Sequence, residues 1–136
     1  MKRLLFLMIW ALFLSSCSED EKPANNFIEG TKWQSAKLGS IYTDGGELKY
    51  SYQENYQLDF TDATFIFTKK TTYDRSVDGV YEDTYTVNGT YMFEYPETTL
   101  QSNDGKFTEK IKIEKYQITM SPDDSRKSLV FTKIRN

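Results

Sequence analysis

The chain is expected to fold as an all-β protein, a small antiparallel up-and-down β-barrel of about eight or nine strands. Three observations point there. Apolar residues recur at every second position, turn-forming residues separate those runs, and no stretch after Cys17 carries a comparable 3.6-residue period. Alternation of this kind gives each strand one buried and one wet face, which suits antiparallel sheets rather than parallel sheets covered on both sides.

The runs follow in order. Leu48, Tyr50 and Tyr52 alternate with Glu47, Lys49, Ser51 and Gln53. Tyr56, Leu58 and Phe60 alternate with Gln57 and Asp59. Phe65, Phe67, Thr71 and Tyr73 share one parity. Asn88-Gly89 is a strong hairpin dipeptide by type, yet Tyr81, Tyr85, Val87, Tyr91, Phe93 and Tyr95 are all odd-numbered. A two-residue turn there would pair Val87 with Thr90 and Tyr85 with Met92. It would leave Tyr91, Phe93 and Tyr95 outside, since a one-residue slip flips every side chain. Val80 to Tyr95 therefore reads as one long strand with Gly89 as a bend on its inner face. Ile111 and Ile113 are odd while Tyr116, Ile118 and Met120 are even, so a turn or bulge lies near Glu114-Lys115.

The separators suit tight connections: Asp44-Gly45-Gly46, Thr61-Asp62, Asp78-Gly79, Asn103-Asp104-Gly105 and Ser121-Pro122-Asp123-Asp124. A single open sheet this long would leave exposed edges and an unfilled face, and closure removes both problems. A two-sheet sandwich is the alternative. Sequential hairpins without a long crossover favour the meander.

Ahead of this region, Lys2 and Arg3 precede an apolar run from Leu4 to Leu14 and then Ser15, Ser16 and Cys17. A basic end, a short apolar segment and small residues before a cut form a secretory signal. The run is too short for a membrane span, which needs about 20 apolar residues. Leu14-Ser15-Ser16-Cys17 resembles the lipobox of bacterial lipoproteins, in which the cysteine carries the lipid. Cys17 is the only cysteine of the chain, so it has no internal disulfide partner. The acidic cluster Ser18-Glu19-Asp20-Glu21 is similar to the surface-export tag of Bacteroidetes lipoproteins, and is also what a solvated tether looks like. These features divide the chain into a signal peptide over 1–16, a lipidated cysteine and acidic tether over 17–26, and a barrel domain over 27–136. They lead to the expectation of a bacterial outer-membrane protein, lipid-anchored and displayed at the cell surface as the acidic tag implies.

Removing residues 1–16 leaves about 120 residues, enough for one core. Formal net charge is −3, and loss of Lys2 and Arg3 makes it more negative. Nucleic-acid binding, which selects basic faces, is not favoured.

Gly30-Thr31-Lys32-Trp33 opens the first strand. Together with Val87-Asn88-Gly89-Thr90-Tyr91 and the closing Leu129-to-Arg135 run, it is similar to the strands of lipocalins and of lipocalin-like lipoproteins of Bacteroidetes. The resemblance implies a lipocalin-like barrel in which Gly30 and Trp33 lie at the closed end. Lys133 or Arg135 would stack on Trp33, a cation–π contact worth about 1 kcal/mol.

The chain has no histidine, so the commonest general base and metal ligand is missing. Its one cysteine is assigned to the anchor, which leaves no thiolate nucleophile and no cysteine-based zinc site. No Gly-rich phosphate loop and no Gly-x-Ser-x-Gly elbow occur. Enzymatic activity, a metal and a cofactor are accordingly not expected. Asp83 stands apart from the other carboxylates, because its odd number puts it on the inner face between Tyr81 and Tyr85. It is read either as a ligand-contacting group, as part of a hydrogen-bonded network, or as a rim residue in water.

The inner face is rich in tyrosine. Tyr50, Tyr52, Tyr56, Tyr73, Tyr81, Tyr85, Tyr91 and Tyr95 all point inward by parity. Buried hydroxyls need partners, so a plain core would favour Leu, Ile and Val. An amphipathic ligand cavity and a small barrel filled by large rings both fit this stripe. The candidate lining residues are Tyr50, Tyr52, Phe65, Phe67 and Tyr81, with Asp83, Tyr85, Tyr91 and Phe93. Two non-enzymatic functions follow. One is a binding module for a small apolar or amphipathic ligand, which requires a continuous cavity. The other is an interaction module with a filled barrel, engaging an envelope protein or a glycan through an exposed aromatic patch at Tyr42 and the loop around Asp44 to Gly46.

Overall fold

The computed structural model describes residues 25–75, 77–121 and 123–135. The expected signal segment, Cys17 and the acidic stretch after it lie outside the described residues.

Eight strands follow one another in an antiparallel meander that closes on itself: β1 (Lys32–Tyr42), β2 (Leu48–Phe60), β3 (Thr64–Arg75), β4 (Gly79–Tyr91), β5 (Glu97–Ser102), β6 (Thr108–Ile113), β7 (Gln117–Met120) and β8 (Leu129–Lys133). The up-and-down barrel expected from the alternation is the observed fold, and the sandwich is excluded. The even parity from Leu48 to Phe60 is carried by one strand.

The register sets the inner face. Trp33 pairs with Leu58, Leu58 with Phe67, and Phe67 with Val87. Leu100, Ile111, Ile118 and Phe131 complete this layer from the other strands, all fully buried. Each such side chain contributes roughly 1.5–3 kcal/mol through removal of apolar surface from water. The turn from Asn26 to Gly30 closes the end of the barrel with Ile28, which is buried. Phe27 meets Phe93 and Tyr95 edge-on at 5.5 and 6.0 Å there. Trp33 is buried beside this plug, and its Nε1 donates to Thr31 Oγ1 at 2.7 Å. Of the two basic residues expected near Trp33, Lys133 is its cross-strand partner, with Nζ 6.0 Å from the ring centroid.

Gly89 stays within β4, where it pairs with Phe65 and Ser102. A Cβ there would lie 2.1 Å from the Gln101 carbonyl oxygen and 2.6 Å from the Phe65 ring. Only glycine lets β5 approach so closely, which is how the sheet turns the corner. The long strand ends earlier than its parity implied, at Tyr91 rather than Tyr95. Pro96 cannot donate to a ladder, and it restricts the residue before it. The chain instead turns, with Glu94 N–H donating to Thr98 Oγ1 at 3.0 Å. Phe93 and Tyr95 still pack against the core from this turn. Tyr116 is also displaced from its expected inward place. It lies exposed in the β6–β7 turn, and Ile113 pairs directly with Ile118.

The strands are unequal. β1 to β4 run 11–13 residues, whereas β5 to β8 run 4–6. β4 meets β5 only from Gly89 to Tyr91, and β1 meets β8 only at Trp33 and Gln34. The barrel therefore closes around a filled base. Above it β1 to β4 continue as a four-stranded wall whose two edges are uncovered by any described strand.

Candidate functional site: an open tyrosine wall

Above the Trp33 layer the paired registers build four inner rows. The first contains Ser35, Tyr56, Lys69 and Tyr85, and the second Lys37, Glu54, Thr71 and Asp83. The third contains Gly39, Tyr52, Tyr73 and Tyr81. At the rim, Ile41 pairs with Tyr50 and Arg75 with Gly79. Moving outward from the core, the wall thus passes from apolar to charged to aromatic.

The charged rows are held by one cluster. Lys69 Nζ lies 2.5 Å from Glu54 Oε1, and the Tyr56 hydroxyl donates to Glu54 Oε2 at 2.6 Å. The same ammonium sits 5.8 Å from the Tyr56 ring centroid. Burial pushes the Glu54 carboxyl up, but hydrogen bonds from Lys69 and Tyr56 and the charges of Lys69 and Lys37 outweigh it and hold it below its ordinary value. Burial, followed by the Glu54 hydrogen bond and charge, pushes the Tyr56 phenol up. Glu54 is thus committed as an acceptor. The cluster seals the base from above with satisfied polar groups, as buried charges require.

The tyrosine rows are ordered by packing. The Tyr52 ring lies on Gly39, where a Cβ would fall 2.2 Å from ring carbon Cζ. Glycine on an edge strand covered by a cross-strand aromatic is a known way of pinning register. Tyr50 meets Tyr73 edge-on at 5.9 Å. The Arg75 guanidinium lies 5.7 Å from the Tyr50 centroid and 5.4 Å from the Tyr81 centroid, bridging two strands by cation–π contacts. Tyr81 and Tyr85 nevertheless remain 50% and 52% exposed, and Asp83 between them is exposed too.

The structure divides the residues expected to line a ligand cavity. Tyr50, Tyr52, Tyr81, Asp83 and Tyr85 share the open wall. Phe65, Phe67 and Tyr91 are buried in the filled base, where the Tyr91 hydroxyl donates to the Thr61 carbonyl at 2.5 Å and accepts from Asn26 Nδ2 at 2.8 Å. Phe93 packs by the plug. The expected continuous stripe is therefore two environments. Grooves of about 620 and 600 Å³ lie on the outer face, the first over Gln34, Gln57 and Val130, the second over Leu38, Gln53 and Val80.

Lys37, Glu54, Lys69 and Arg75 were not singled out from the sequence. Lys69 and Arg75 share the odd parity of Phe65 and Phe67, which was the available signal. No group of three or more His, Cys, Asp or Glu side chains comes together among the described residues.

No protein family, no curated protein and no solved structure matches the chain.

Proposed function

We propose that the protein is a lipid-anchored envelope protein of the lipocalin-like type, held on the outer membrane through Cys17 and displayed at the cell surface, that works as a non-enzymatic interaction module. The single observation behind this reading is the wall itself: a tyrosine-faced, free-edged sheet standing above a base that is already filled. Exposed aromatic surface with interspersed charge is the composition of interaction patches. Of the wall, the Tyr56–Glu54–Lys69 cluster is committed to the base, whereas Tyr81 and Tyr85 further out stay half-exposed and are available to a partner such as an envelope protein or a glycan. The lipobox-like Leu14-Ser15-Ser16-Cys17 and the acidic residues after it support the anchor and its address.

A photo-crosslinking amino acid placed at Tyr85, and separately at Tyr116 as a control away from the wall, tests this on intact cells of the organism that encodes the protein. One discrete adduct from position 85 and none from 116 is the expected result. Adducts from 116 alone would overturn it.

The charged second row favours one further reading, a small amphipathic ligand cradled on the wall with its polar end at Lys37 and Asp83. Native mass spectrometry after exposure to a host lipid extract separates the two, because only the small ligand gives an adduct of defined low mass.

A further inference from the structure

We propose that the free edge of β4, from Val80 to Thr86, docks an extended segment of a partner protein as an added strand, and that Asp83 selects a segment with a basic residue opposite it. This rests on the interaction reading above and names its partner chemistry.

Among the described residues, the outer length of the β4 backbone is unpaired along one side. Residues alternate in the side to which they present N–H and C=O. Tyr91 N–H points toward the β2–β3 turn, donating to Ala63, while the Asn88 carbonyl accepts from Asn103 on the β5 side. Continuing that alternation, Tyr81, Asp83 and Tyr85 bond to β3. Val80, Glu82 and Thr84 then present their backbone groups to the uncovered side, and Thr86 presents its own toward the groove it shares with Asn103 and Lys106 of the β5–β6 turn. None of those four has a backbone partner there among the described residues. A row of unpaired donors and acceptors is a template for another strand.

The two edges of the wall also differ from each other. Natural sheets blunt free edges with lysine, proline, bulges or inward charges. β1 carries Lys37 and a register irregularity at Ile41–Tyr42. β4 keeps an unbroken register with β3 from Gly79 to Thr90, and has no proline and no lysine. Its one inward charge is Asp83.

Charge at the β4 edge is unbalanced. Glu82 points to the outer face and pairs with Lys70 at 2.9 Å. Lys69, opposite Tyr85, is committed to Glu54. Asp83 makes no ion pair among the described residues, so it is the unbalanced charge at this edge. Pairing of this edge with the same edge of a second copy, centred to use its whole length, sets Asp83 against Asp83, and like charges directly opposite are destabilising. A basic residue there is favoured instead, flanked by side chains that pack on Tyr81 and Tyr85.

The test uses the ¹⁵N-labelled full chain in detergent and two synthetic nine-residue peptides of alternating threonine and valine, one with lysine and one with glutamate at the centre. The lysine peptide is expected to slow amide exchange at Val80, Glu82, Thr84 and Thr86, and to bind at least tenfold more tightly than the glutamate peptide. Asp83→Lys should reverse that preference. Thr84→Pro removes an outward N–H, leaves the β3 ladder intact and should abolish binding. Equal affinity for both peptides overturns the proposal. Shifts confined to the tyrosine face without slowed exchange also overturn it, and leave the interaction reading standing. Edge amides already protected, and released on dilution, would assign the edge to a second copy. Failure of both peptides together with no adduct from Tyr85 defeats the interaction reading itself.

Discussion

β1 to β4 run through both the base and the wall with the same two-residue period, yet their two ends finish in opposite states. In the base the inner positions are Trp33, Leu58, Phe67 and Val87, and all are buried. A few residues further along, the inner positions are Lys37, Thr71, Asp83, Tyr81 and Tyr85, and most are half-exposed or open. Period two states which side chains share a face. It does not state that the face will be covered. Coverage requires opposing strands, and the short β5 to β8 supply them only at the level where the inner residues can be desolvated without loss. Polar inner residues keep their water by standing where the barrel has no second side.

The largest expected effect that sharpens this contrast is Trp33→Ala. It should cost about 3–5 kcal/mol in denaturant unfolding, as large buried aromatics do when a cavity is left. A closer comparison is between two inner glycines. Gly89→Ala should cost about 2–3 kcal/mol, because its Cβ meets the backbone oxygen of Gln101, which cannot yield without moving β5. Gly39→Ala meets only the Tyr52 ring, which can swing outward, so the loss should be about 1 kcal/mol or less. Equal losses would mean that the wall is as tightly packed as the base.

At the junction, Glu54 gives a pH signature. Its folded carboxyl lies below the ordinary value of 4.5, so its stabilisation is complete above that pH and is lost as pH falls through the folded value. Acid unfolding of Glu54→Gln should therefore show a shallower slope below about pH 4.5 than the parent chain, followed by circular dichroism. An unchanged slope would place the acid sensitivity elsewhere. The smallest effect belongs to the wall. Tyr81→Ser and Tyr85→Ser should each shift unfolding by about 0.5 kcal/mol or less, since half-exposed side chains away from the core carry little of the stability.

Much of this fold was legible in the sequence because the hydrophobic signal is strong in particular strands. The even run from Leu48 to Phe60 and the odd run from Phe65 to Tyr73 became β2 and β3, and the parity change near Glu114 became the β6–β7 turn. Gly89 was placed correctly as an inner bend because register outweighed its dipeptide context. β1 was visible only at Trp33, since its later inner positions, Ser35, Lys37 and Gly39, break the apolar alternation. The division of the tyrosine stripe was not legible at all. It depends on where β4 leaves β5 and β1 leaves β8, contacts between residues distant in sequence. The Glu54–Lys69 pair was hidden for a similar reason, as it joins two strands through a register that no local pattern states.

Among the described residues, the outer length of β4 stands uncovered on the side away from β3. Native-state amide exchange measured along this strand tests it most directly, because neighbouring residues serve as each other's control. Alternation is expected: fast exchange at Val80, Glu82, Thr84 and Thr86, with slow exchange at Tyr81, Asp83 and Tyr85, whose N–H groups bond to β3. Uniform protection through the strand would contradict it, and would mean that the edge is already covered.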